Sequence, residues 1–256
     1  MSALAFPALL TAIADRSAAF RAAAAAAGDG RPVPGCPDWS VLDLRTHLGE
    51  VQRFWAAAVM AGPAAGPPDE DRSAGRQQPA DPADPADLLG GSTGALISAL
   101  RDAGPDRGCW TWWEDSGAPM TAAAVARHQA QEAAVHAFDA QEAAGSSEPL
   151  PAAIAADSIA EFLAVSVPMS LPWPYPPATL AITAADAGSW LVQLSTSRSR
   201  AQPAAAEQRD QPPDASAAGT ASDVVLALYG RRPAGILDVT GNADILGQFL
   251  AWLDRG

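Results

Sequence analysis

Three histidines occur in the chain, His47, His128 and His136, and the residues around them decide what chemistry they can do. His128, Glu132 and His136 are spaced four apart, so on a helix they fall within an arc of about 80° at 3.6 residues per turn. Glu132 and His136 are then about 6 Å apart along the axis and can converge on one ion, whereas His128 stands roughly 12 Å from His136 and is left outside the ligand set. His47 follows Leu44 by three residues and precedes Val51 by four, which places it at the core edge of its own helix. Two imidazoles and one carboxylate suit Zn²⁺ with an open coordination position, and the same donors also hold Fe²⁺, Ni²⁺ or Mn²⁺. Spacing alone does not separate this set from two satisfied core histidines and a solvated glutamate.

These residues need helices to position them, and the sequence supplies four. A helix is expected over 3–27, stopped at Gly28-Asp29-Gly30, and a Pro-rich loop follows. Ser40 and Asp43 form a capping box ahead of Val41, Leu44, Leu48, Val51, Trp55 and Val59, which recur at intervals of three and four. Residues 62–86, with the repeat Asp-Pro-Ala-Asp-Pro-Ala-Asp at 81–87, read as an exposed loop. A third helix begins near Asp87, buries Leu88, Leu89, Leu96, Ile97 and Leu100, and stops at Gly104-Pro105. The fourth runs from Thr121 to about Ala144, with Gly145 as its stop.

Four amphipathic helices predict a bundle over residues 1–148. A smaller α+β domain is expected over 149–256, so the fold class is α+β overall. In it the sequence predicts a helix at about 152–166, a segment at 168–177 whose five prolines exclude helix and central strand, and strands at 178–183 and 189–195. A polar loop at 197–219, a capped helix at 220–228, a strand at 236–240 and a closing helix at 243–254 complete it.

Composition bounds the partners. The net charge of −13, with every basic residue an Arg, argues against a phosphate backbone as partner. The N-terminus has no export signal and no stretch approaches the roughly 20 uninterrupted apolar residues of a membrane span. A cytoplasmic protein, monomer or homodimer, is expected. Cys36 and Cys109 are too few for a disulfide scaffold and lack CxxC pairing; they are expected to be buried or free thiols.

The stretches at 39–51 and 127–140, which carry His47, Glu132 and His136, resemble the DinB-like, mycothiol-dependent maleylpyruvate isomerase family. The resemblance implies that these three residues bind a divalent metal, usually zinc, which activates the thiol of a low-molecular-weight cosubstrate, mycothiol, against a small electrophilic substrate. Residues 221–231 and 239–243 look like the family's sterol-carrier-like C-terminal module, so the resemblance covers nearly the whole chain. Gln52 and Phe54 depart from it, standing where family members often carry His and Trp.

A thiol deprotonated beside a metal is a nucleophile near neutral pH, so no protein cysteine is needed. An isomerase adds it to a conjugated double bond, allows rotation and eliminates it; an S-transferase keeps the carbon–sulfur bond. Arg231 is expected to contact a substrate carboxylate through its bidentate fork, a helix C-terminal charge being the other reading. Trp110, Trp112 and Trp113 either wall the pocket mouth or pack as core, and Asp139 either orients a ligand or lies on the helix surface. Because the ligands must lose their protons, metal affinity is expected to fall as pH drops through about 6 to 5. Two other functions fit the same residues: a non-enzymatic module binding an apolar ligand, and a thiol-independent metal hydrolase with Glu50 or His128 as general base.

Overall fold

The computed structural model describes residues 3–68, 85–204 and 212–253. They form two compact units: Leu4–Glu114 with Pro119–Leu150, and Pro151–Gly256 with Asp115–Ala118 and the extreme N-terminus.

The first unit contains four long helices, α1 (Phe6–Ala27), α2 (Val41–Ala61), α3 (Pro85–Ala103) and α4 (Ala122–Ala143). Each boundary has a local cause. Gly28 ends α1 at a φ of 85°, a conformation that costs glycine no Cβ clash. The capping box opens α2: Ser40 accepts from the Asp43 amide, and the Asp43 carboxylate accepts from the Ser40 amide at 2.9 Å. At the start of α4 the Thr121 hydroxyl accepts from the Ala124 amide, satisfying one of the amides a helix leaves without an internal partner. The other end of α4 gains the Arg31 guanidinium, whose Nε donates to the Ala143 carbonyl at 3.2 Å.

α1 packs along α4 and α2 along α3, while α2 meets α4 and α1 meets α3. The core holds Ile13, Phe20, Leu44, Leu48, Leu89, Leu96 and Leu100; Ile97, expected there, is only half-buried. Through the middle runs a polar relay. Gln52, fully buried, donates to the Ser17 hydroxyl at 3.0 Å and accepts from the Thr93 hydroxyl at 2.7 Å. The departure from the family pattern at position 52 therefore ties together α1, α2 and α3.

The Pro-rich loop before α2 is in fact a small hairpin, β1 (Pro32–Val33) and β2 (Cys36–Ser40), turned at Pro34-Gly35 with Val33 opposite Cys36. Proline at a turn's second position and glycine after it are a turn signal, and prolines on so short a ribbon meet no ladder they can break. Of the expected loop, residues 69–84 lie outside the described residues, while 85 and 86 belong instead to the first turn of α3; the side chains from 85 through Leu88 are outside the description.

In the second unit, α5 (Ala152–Met169) continues three residues past the expected end and through Pro168. The ring there costs a single bond in the last turn, because the helix stops one residue later. This helix is long and apolar enough to cross a membrane by composition, and half of it is buried inside the unit.

Strands β3 (Ala178–Ala184) and β4 (Gly188–Leu194) pair antiparallel in full register, and the expected polar loop at 197–219 contains two more, β5 (Arg200–Pro203) and β6 (Ala215–Gly219). Such short Ala-, Gly- and Gln-rich strands lack the β-branched alternation by which strands are read. With β7 (Asp238–Gly241) the sheet order is β5-β4-β3-β6-β7, with β3 and β6 parallel. The parallel pair requires a crossover. Helices α6 (Ala221–Leu228) and α7 (Ala243–Leu253) contact β3 and β6. The Pro-rich strap at 168–177 is anchored by Trp173, fully buried, whose indole donates to the Pro176 carbonyl at 2.9 Å.

Candidate metal centre

His47 comes from the second turn of α2, and Glu132 and His136 from consecutive turns of α4. The bundle brings all three together: one ligand atom from each lies within 4.8 Å of the others. Glu132 Oε1 is 3.1 Å from His47 Nε2 and 3.2 Å from His136 Nε2. Both imidazoles therefore present the same nitrogen to the cluster, the arrangement a shared ion needs. His128 lies one turn further along α4 and outside the cluster.

The other nitrogen of His136 is already committed. Its Nδ1 is 2.9 Å from Asp139 Oδ2, and Asp139 has no exposed surface at all. With Nδ1–H donated to a buried carboxylate, the ring orientation is fixed and Nε2 keeps its lone pair for the cluster. Asp139 is thus no helix-surface residue, because α4 is buried nearly all round at that turn: Val135, His136, Ala137, Phe138 and Ala140 are buried with it. The Cys36 thiol, on the hairpin, lies 4.0 Å from the same Asp139 oxygen, and Trp39 from β2 sets its ring 4.9 Å from that of His47 and 6.5 Å from that of His136. Neither contact was legible in sequence, since both depend on the hairpin.

The electrostatics follow from the spacing. Burial works against the charge on Glu132, but the facing His136 and the hydrogen bonds from both histidines outweigh it and hold the carboxyl well below its usual 4.5. Burial likewise opposes charge on His136, and there the Glu132 and Asp139 carboxylates win, raising it from 6.5 to about 9. Without an ion, the site holds a proton on His136 in the place of a cation.

A cleft of about 370 Å³ opens beside Glu132, lined by Glu50, Val51, Phe54, Trp55, Trp112 and His128. Trp113 is core, 1% exposed, while Trp112 is 41% exposed and lines the cleft, so the tryptophan run divides between both expected roles. Phe54, the second departure from the family pattern, is part of that lining. Cys109 is buried and its thiol is pushed up to about 11 by that burial; Cys36 is half-buried, and the two are not joined in a disulfide. Arg231 belongs to the second unit, in the turn after α6, where its Nη1 donates to the Tyr229 carbonyl at 2.8 Å.

The profile of the mycothiol maleylpyruvate isomerase N-terminal domain matches residues 10–141, more than half of the chain, including the His47–Glu132–His136 cluster and the cleft beside it but not Arg231. The chain belongs to the mycothiol maleylpyruvate isomerase family. No curated protein matches it significantly. Among solved structures, a mycothiol-dependent maleylpyruvate isomerase is similar over 94% of this chain and 96% of its own, with a TM-score of 0.58 and 13% sequence identity. A histidine-to-alanine mutant of such an isomerase is similar over the same shares, with a TM-score of 0.56 and 14% identity. At these identities the likeness is one of fold, and it extends through both units of this family member.

Proposed function

We propose that the chain is a metal-dependent isomerase or S-transferase that uses mycothiol against a small electrophile, and that His47, Glu132 and His136 hold the metal. The observation that carries this reading is the convergence of two Nε2 atoms on one carboxylate, inside the region where the family profile matches. The donor set fits a divalent ion: three ligand atoms within 4.8 Å, with zinc favoured by two imidazoles and a carboxylate. An ion bound there supplies the positive charge that draws the proton from a thiol.

The remaining work falls to the protein. Asp139 holds the His136 ring and its tautomer. Trp39 sets its ring against both imidazoles and limits their movement. The cleft beside Glu132 receives the electrophile; Arg231, in the other unit, is proposed separately as a carboxylate-binding residue. The thiol sulfur adds to one carbon of a conjugated double bond, the π electrons moving to the adjoining carbonyl. Rotation and loss of the sulfur return the thiol and the isomerised alkene, whereas protonation of the adduct carbon leaves the S-transferase product. The protein is proposed to act in the cytoplasm.

Metal analysis of the purified chain beside His47→Ala and His136→Ala tests this directly. The wild type is expected to hold one divalent ion per chain, each variant far less, and mycothiol-dependent turnover of maleylpyruvate to disappear with the ion. A metal-replete wild type without stoichiometric metal refutes the reading. Turnover of activated esters without added thiol would instead favour hydrolysis, for which Glu50 and His128 both line the cleft.

A further inference from the structure

Adding a thiolate to a conjugated ketone moves charge across the substrate. The sulfur bonds to one alkene carbon, the alkene π pair shifts toward the carbonyl carbon, and the carbonyl π pair settles on oxygen, which becomes an enolate. A donor held at that oxygen stabilises the charge where it develops and lowers the barrier to addition. Among the residues that line the cleft, Val51 and Phe54 carry no polar side-chain atom, and ionised Glu50 and Glu132 only accept. The donors left are the imidazole of His128 and the indoles of Trp55 and Trp112.

Position separates them. Trp55 is eight residues from His47, about 12 Å along α2, and only 3% exposed; Trp112 lies in the segment between α3 and α4. His128 precedes Glu132 by one turn of α4, about 6 Å along the axis and about 40° around it, and both line the same cleft. In a conjugated ketone the oxygen stands at the far end of the unit from the carbon attacked. A sulfur beside Glu132 and a donor one turn away therefore meet the two ends of one substrate. The aromatic wall of the cleft also holds the imidazole: Trp113 lies 5.2 Å from it, centroid to centroid, Trp55 5.8 Å and Trp112 5.9 Å. A ring set among three indoles has little freedom to turn, and a donor fixed beforehand needs no reorganisation during the reaction.

We propose that His128 donates a hydrogen bond from its ring to the electrophile's carbonyl oxygen and stabilises the enolate that thiol addition creates. The imidazole keeps its proton throughout: the electron pair on oxygen returns when the sulfur leaves, and the alkene forms again. Because the bond is made to the ketone, neutral and carboxylated electrophiles use it alike. This assignment deepens the isomerase or S-transferase reading and rests on it.

The test joins infrared spectroscopy to kinetics on the full chain. The spectroscopic probe is levulinate labelled with carbon-13 at its ketone, a saturated keto acid to which a thiol cannot add. Its bound ketone band is expected at lower frequency in the wild type and in His128→Gln, which keeps an N–H, than in His128→Phe, which keeps a ring without one. Trp112→Phe, which removes the competing indole N–H, is expected to leave the band where the wild type has it. With maleylpyruvate and mycothiol, His128→Phe is expected to lose about 10²- to 10³-fold in kcat, with metal content unchanged, and His128→Gln to recover part of the loss. If His128→Phe melts early, His128→Leu reads the same band. A wild type without turnover that still shows the His128-dependent band would sink the reaction proposed above and leave the donor standing. The assignment is overturned by a band unmoved in both donor-less variants, by a band that moves in Trp112→Phe instead, by no bound ketone band in the wild type, or by an active wild type whose kcat survives in His128→Phe.

Discussion

Asp139→Asn changes one oxygen to nitrogen at a position with no exposed surface, and its consequence can be worked out from the 2.9 Å contact to His136 Nδ1. The carboxylate is an acceptor only, so it enforces Nδ1–H and leaves Nε2 with a lone pair. An amide can turn its NH₂ to Nδ1 and hold the other tautomer, with the hydrogen on Nε2, the atom that faces Glu132. The loss of the charge also makes the imidazole less basic. Substitutions of groups that hold a metal-binding histidine typically cost 10- to 100-fold in affinity, about 1.4–2.8 kcal/mol, and complete burial places this one toward the upper end. Competition with a chromophoric chelator at fixed pH measures it, with circular dichroism showing that the fold persists. If Asp139→Asn bound zinc with wild-type affinity, either Asp139 would not position His136 or His136 would not be a ligand.

The pH dependence expected from reference values alone must be moved. His136, raised to about 9, is protonated in the metal-free protein, so an ion must displace that proton while Glu132, held low, stays ionised. Zinc affinity is expected to fall by about tenfold per pH unit from around 9 downward, well above the window of 6 to 5; flat affinity between pH 9 and 7 refutes this. Metal-free stability has the opposite slope. The raised His136 contributes fully below 6.5 and loses its contribution as pH rises toward 9, and the depressed Glu132 contributes above 4.5 and loses it in acid. Melting temperatures of metal-free protein should therefore peak between about 4.5 and 6.5 for this pair.

Gln52→Ala takes from the Ser17 hydroxyl its Gln52 donor and leaves a cavity, while the Thr93 hydroxyl keeps the Leu89 carbonyl at 2.9 Å, and urea denaturation should show a loss of about 2–4 kcal/mol. Arg231→Ala should leave metal content unchanged and raise KM for a carboxylated electrophile about tenfold or more; unchanged kinetics would remove Arg231 from the proposal.

What was legible in the sequence was what local chemistry encodes. The capping box at Ser40, the helix start at Thr121 and the stops at Gly28, Gly104 and Gly145 set the bundle helices to within a few residues, and i, i+4 spacing placed Glu132 beside His136. What escaped was what depends on contacts distant in the chain. The hairpin at Pro32–Val33 and Cys36–Ser40 was masked by its prolines, although Pro34-Gly35 between Val33 and Cys36 was the available signal. β5 and β6 were masked by residues without strand propensity, since parallel pairing with β3 rather than side-chain preference makes β6 a strand. The role of Asp139 was hidden because a carboxylate on an Ala-rich helix looks solvated until the neighbouring helices bury it. Among the described residues, the side-chain amides of Gln129 and Gln131 are buried without a hydrogen-bond partner.

The high pKa of Cys109 has a consequence for self-protection. A protein proposed to bring a soft electrophile up to an activated thiol is itself a target for that electrophile. Lysine amines, the usual secondary victims, are missing from the sequence altogether. Cys109, next in sequence to the aromatic wall, is kept as the unreactive thiol by a pKa near 11 and by burial to 2% exposure, since only the thiolate attacks. One of the chain's two thiols is thus withheld from a reaction for which it would otherwise compete.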